Sequence, residues 1–225
     1  LANQGETADD YRQQIPEPTF APDEDNVIPL LDGDWFTDDI SERFKEFLKL
    51  TFGTEHYEEN LTFLENSLYP DNAGGKKRKT IRDYFLKGFY NHHIKLYKKR
   101  PIYWLFSSPK GTFNALIYMH RYRPDTVSIV LNDYLRDFQT KLKSKSDHLQ
   151  TVADSGDSSK TEKAKAIKDM NVLKKQLKEL EDYEREVLYP LATQQVEIDL
   201  DDGVVKNYNK FGIALKKVTG LTGKV

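Results

Sequence analysis

The run TVSIVLNDYLRDFQTKLKSKSDHLQTV (126–152), the short ADSGDSS (153–159) and KTEKAKAIKDMNVLKKQLKELEDYEREVLYPL (160–191) together decide the architecture. In the first, Val127, Leu131, Tyr134, Phe138, Leu142 and Leu149 recur largely at spacings of three and four; in the second, Ile167, Met170, Leu177, Leu180, Val187 and Leu191 do the same. That period is the mark of an amphipathic helix. The Gly/Ser-rich stretch between them supplies a turn, so residues 124–191 are predicted to form an antiparallel helical hairpin. Each arm would hold about 25 residues and run roughly 37 Å at 1.5 Å per residue. The predicted seam contains Leu131, Tyr134, Phe138, Leu173, Leu177 and Leu180.

Upstream of the hairpin, RPIYWLFSS (100–108) and FNALIYMHRY (113–122) flank Pro109, Lys110 and Gly111. Their aromatic and β-branched content reads as two strands with a tight connection, the second also open to a helical reading. Before them, residues 80–98 place Ile81, Tyr84, Phe85, Phe89, His92 and Leu96 on one helical face. YPDNAGGKKRK (69–79) is a loop, preceded by amphipathic helices over about 37–52 and 55–68. Asp39, with Glu42 three residues on, is the better N-cap of the first, and Gly53 its stop. Downstream, VEIDLDDGVVKNYNKFG (196–212) alternates around Asp202 and Gly203 and predicts a β-hairpin, followed by a short helix near 213–219. The fold class expected is mainly α with small β hairpins (α+β). Its parts are an acidic extended arm (1–26), a mixed helical and β-hairpin region with a basic surface (27–123), the helical hairpin (124–191) and a C-terminal hairpin with a short helix (192–225).

Charge divides the chain sharply. Residues 1–65 hold 4 Lys/Arg against 17 Asp/Glu, whereas residues 76–145 hold 17 against 4. Such halves attract one another or face different partners. The absence of cysteine excludes disulfides, thiolate zinc sites and thiol nucleophiles, and no apolar run reaches the roughly 18 residues of a membrane span. A cytoplasmic protein with no membrane partner is expected. The start at Leu1, with neither a basic nor an apolar leader, reads as an excised fragment without an export signal.

Catalytic signatures are missing. GGKKRKT (74–80) lacks the spacing and the Lys-Ser/Thr ending of a phosphate loop, and neither G-x-G-x-x-G nor G-x-S-x-G nor H-E-x-x-H occurs. His92 and His93 are adjacent, so on a helix they point about 100° apart; His92 is expected in the core and His93 at the surface. Asp199, Asp201 and Asp202 read as a turn rather than a cation site. What remains is the basic block. Lys76, Lys77, Arg78, Lys79, Arg82, Lys98, Lys99, Arg100, Lys110, Arg121 and Arg123 are the candidate nucleic-acid-binding residues, because cations that are hard to bury seek phosphates. The interleaved Tyr103, Trp104, Phe106 and Tyr118 are assigned to a core in preference to base stacking.

Five phrases carry a resemblance: NVIPLLDGDWFTDDI (26–40), FLKLTFG (47–53), ENLTFLENSL (59–68), KKRPIYWLFSSPKGTFNALIYMHRY (98–122) and DLDDGVVKNYNKFG (199–212). From about residue 26 onward the chain resembles the C-terminal region of the PglX-type adenine-specific DNA methyltransferases of BREX phage-defence systems. The resemblance implies a parent that methylates adenine with S-adenosylmethionine. It also implies a non-catalytic segment, since the Asn/Asp-Pro-Pro-aromatic motif and Gly-rich cofactor loop of such enzymes are absent here. No cofactor is expected in this segment, S-adenosylmethionine belonging to the missing catalytic domain. The partners implied are DNA, the missing methyltransferase domain of the same chain and other defence-system proteins. A scaffold that packs on those proteins is the rival reading, and a free-standing nuclease has only scattered acids behind it.

Overall fold

The computed structural model describes residues 20–74 and 78–223. Most of the acidic arm and, within the basic block, Lys76 and Lys77 therefore lie outside the described residues.

The chain is mainly helical around a small antiparallel sheet. In order come β1 (Val27–Pro29), α1 (Ile40–Phe52), α2 (Tyr57–Leu68), α3 (81–96), β2 (Tyr103–Ser107), β3 (Asn114–Tyr118), α4 (126–154), α5 (160–194) and α6 (Gly203–Asn209). The sheet order is β1-β3-β2, with Val27 and Trp104 both opposite Ile117. The predicted pair of strands is thus present, and VIP (27–29) adds a third. Asp39 caps α1, its Oδ1 accepting from the amides of Ser41 (2.8 Å) and Glu42 (3.3 Å). Gly53 ends that helix at a φ of 83°, a conformation that suits a residue without Cβ.

The hairpin forms as its periodicity requires. The capping box of Ser159 and Glu162 starts α5, and Arg136–Glu184 (2.7 Å) crosses between the arms. Of the predicted seam, Leu131, Tyr134, Phe138, Leu173 and Leu180 are buried, while Leu177 is partly buried at the edge of the core. Leu177→Ala should therefore lower stability by only about 1–2 kcal/mol in urea unfolding, below the roughly 2–5 kcal/mol of a fully enclosed leucine. A loss well inside that larger range, above about 3 kcal/mol, would mean that Leu177 is enclosed.

Three of the long helices contain a π-helical turn: Phe85–Phe89 in α3, Val130–Leu135 in α4 and Glu184–Leu188 in α5. Each such turn takes in one extra residue and rotates everything after it by about 100°. That rotation corrects the histidine assignment. His93, not His92, is buried, and its Nε2 accepts the Tyr103 amide at 3.0 Å; His92 is exposed, beside the Tyr84 hydroxyl at 3.2 Å. Burial lowers the His93 pKa and favours the neutral ring that accepts this bond.

The C-terminal β-hairpin is likewise corrected. Leu200–Asp202 is a 3₁₀ turn leading into α6, and the Asn207 amide group bonds back to the backbone of Asp199 and Gly203. Tyr208 and Phe211, three apart, are buried against Trp104, a helical spacing that the alternation around Gly203 concealed. The expected helix at 213–219 is also absent. Leu215 bridges to Phe106 and the Lys216 amide donates to Leu105 O at 2.7 Å, so this segment lies along the outer edge of β2.

Candidate nucleic-acid interface

The cations named from sequence divide into those engaged within the fold and those left outside it. Arg82 is the most engaged. Its Nη1 donates to Asp39 Oδ2 (2.7 Å), Gly33 O (2.9 Å) and Leu31 O (3.0 Å), its Nη2 to Asp34 Oδ1 (2.6 Å), and the side chain is only 15% exposed. Asp39 is enclosed, and burial raises its carboxyl above the ordinary range even with Arg82 and two amides opposing. Arg78 pairs with buried Glu65 at 3.0 Å, and Glu65 also accepts the Ile81 amide at the start of α3. Lys79 sits 5.0 Å from the Tyr69 ring centre, Arg123 pairs with Asp125 at 3.0 Å, and Arg121 donates to Glu24 O at 3.1 Å. Part of the charge asymmetry is thus intramolecular pairing.

Lys98, Lys99, Arg100 and Lys110 differ. All four are exposed, and none has an ion-pair partner among the described residues. Lys98 and Lys99 follow α3 with φ of 49° and 64°, left-handed values that are uncommon outside glycine, asparagine and aspartate. Two lysines in succession hold this shape at the end of a helix, where cations also complement the dipole. Lys110 stands apart from them, beyond the far end of β2. There Glu179 grips the β2–β3 turn, accepting from Ser108 Oγ (2.6 Å), Thr112 Oγ1 (2.6 Å) and the Lys110 amide (2.7 Å). Trp104 and Phe106 are fully buried core, as expected, whereas Tyr103 and Tyr118 are half-buried and pack 5.2 Å apart.

The sequence reading missed cations brought to the same edge from a distance. Lys95, Lys98, Lys99 and Lys217 line one depression of about 680 Å³, although Lys217 lies more than a hundred residues further along the chain. No sequence signal joins them, because the junction depends on the segment from Leu215 lying against β2.

On the other side of the sheet from this edge, the described part of the acidic arm is tied to α1 and α4. Tyr134 donates toward Asp25 and Asp38, each at 2.8 Å, and Arg43 meets Asp23 at 3.3 Å. Burial, with Asp25 beside it, pushes the Asp23 pKa up to about 7. Among the described residues no group of three or more His, Asp or Glu is placed to hold a metal ion, and no helix is long and apolar enough to cross a membrane.

Comparison with known proteins adds to this geometry. The chain is 39% identical over 210 residues to the adenine-specific methyltransferase BrxX of Escherichia coli O9:H4 (strain HS), covering 91% of the chain and 17% of that protein. The chain is homologous to a segment of these methyltransferases. It is also 38% identical over 207 residues to the adenine-specific methyltransferase PglX of Lacticaseibacillus casei (strain Zhang), covering 90% of the chain and again 17% of the relative. The chain thus spans about a sixth of the length of the curated relatives it matches. No protein-family model matches it.

Proposed function

We propose that this chain is a non-catalytic part of an adenine-specific DNA methyltransferase of phage defence, and that it helps hold the DNA. The observation that carries the reading is the ledge of Lys98, Lys99 and Arg100, three exposed cations without an ion-pair partner among the described residues, two of them on left-handed backbone. Homology to adenine-specific methyltransferases supplies the polyanion that such a ledge fits. Cations facing a duplex displace condensed counterions, so affinity depends steeply on salt and little on sequence. S-adenosylmethionine and the methyl transfer belong, in this reading, to the remainder of a longer protein.

Fluorescence anisotropy with a labelled duplex tests it. Replacing Lys98, Lys99 and Arg100 by alanine should weaken binding at low salt and flatten the log-log salt dependence by about 2.7, at 0.9 per phosphate contact. Replacing Lys160, Lys163, Lys165 and Lys168, on the distal part of α5, should change the slope far less. Equal losses from the two sets would remove the ledge from the account and favour the scaffold reading.

A further inference from the structure

The depression lined by Lys95, Lys98, Lys99 and Lys217 does not stand alone. Lys217 also lines a second depression, which contains Lys216 and reaches Pro109 in the β2–β3 turn. Pro109 in turn borders a third, between that turn and the side of α5, lined by Lys110, Lys174, Lys175 and Lys178. Shared residues therefore join three hollows end to end along the outer edge of β2.

We infer that this edge is a single track for the backbone of a nucleic-acid strand, running from the end of α3 over the Leu215–Val218 segment to the side of α5. The inference rests on the DNA reading above and extends it to five cations not among the candidates named from sequence: Lys95, Lys174, Lys175, Lys216 and Lys217. All five are exposed and lack ion-pair partners among the described residues. The carboxylates that border the third hollow are already engaged: Glu179 holds the β2–β3 turn, and Asp182 pairs with Lys178 and Arg185, each at 2.7 Å. The track thus offers a row of ammonium groups with little competing acid. β2 itself spans roughly 17 Å at about 3.3 Å per residue, and the flanking residues bring the track to roughly 25 Å. At 3.4 Å per nucleotide along one strand, that is about seven phosphates.

The left-handed lysines bear on the assignment. Backbone held in a sparsely populated region clusters at functional sites, because elsewhere a cheaper residue would serve. Glycine would fit the backbone at both positions, so two lysines there point to a use for their side chains.

Three variants and two probes test the track. The variants are Lys98→Gly/Lys99→Gly at one end, Lys216→Ala/Lys217→Ala in the middle and Lys174→Ala/Lys175→Ala on α5. The glycine pair suits the native backbone, so its melting midpoint should not fall and any loss of binding is not misfolding. The probes are a duplex of about 12 base pairs and inorganic polyphosphate. Each variant should lower the slope for the duplex by about 1.8, two contacts at 0.9 each. If the wild-type chain binds duplex but the middle and α5 pairs match the distal α5 control set, the track is wrong while the ledge survives. If it binds polyphosphate through all three pairs but not the duplex, the track stands as a polyanion groove and the DNA reading fails. Binding of neither probe at low salt overturns both.

Discussion

Arg82→Ala should destabilise the fold by about 3–5 kcal/mol in urea unfolding, the range expected when one partner of a buried ion pair is removed. The effect follows from what Arg82 holds. Its guanidinium binds Asp39 and Asp34 and the carbonyls of Leu31 and Gly33, and so ties the 31–34 turn to α3. Asp39 is at the same time the N-cap of α1. Without Arg82 a buried carboxylate and two carbonyl oxygens lose their donor together. Arg82→Lys should recover only part of the loss, since one ammonium cannot reproduce the planar fork. Where the variant is still folded, its salt slope for duplex DNA should match that of the wild type. A loss below about 1 kcal/mol would show that the pair is not enclosed, and a flattened slope would return Arg82 to the interface.

Glu179→Ala should cost about 2–4 kcal/mol, because hydrogen bonds to an ionised group contribute about 1.5–3 kcal/mol each and are not additive. Burial by itself would raise the Glu179 carboxyl, yet the hydroxyls of Ser108 and Thr112 and the nearby amides hold it below the ordinary glutamate value. The sign of the pH dependence follows. The folded state binds this proton less readily than the unfolded chain does, so the stabilisation is fully present above the unfolded pKa of about 4.5 and is lost as pH falls through the folded value. Acid unfolding of the wild type should therefore approach that of Glu179→Ala at the lowest pH. An unchanged gap between the two melting midpoints from pH 7 to pH 3 would contradict the assignment.

The hairpin and strand pair were legible in the sequence because their burial imposes a period on a long run of residues. Failures lie where one residue changes the phase or where a short run fits two periods. The π turn at Phe85–Phe89 moved the core position from His92 to His93, and nothing in FLKGF announces it. Around Gly203 the alternation reads as strand, although Tyr208 and Phe211 stand at helical spacing. At the basic surface, composition identified Lys98, Lys99, Arg100 and Lys110 as cations hard to bury. It gave equal weight to Arg78 and Arg82, whose partners Glu65 and Asp39 lie 13 and 43 residues away. Lys217 escaped because its neighbours are set by the chain's return along β2.

The central claim, that this chain holds DNA by its phosphates through an exposed row of lysines, is tested most directly by the affinity of the wild-type chain for a short duplex between 50 and 200 mM salt. With about seven phosphates neutralised, the log-log slope should be near −6 and the affinity should fall roughly 10⁴-fold over that range. Binding that does not change with salt, or no binding at 50 mM, would contradict it.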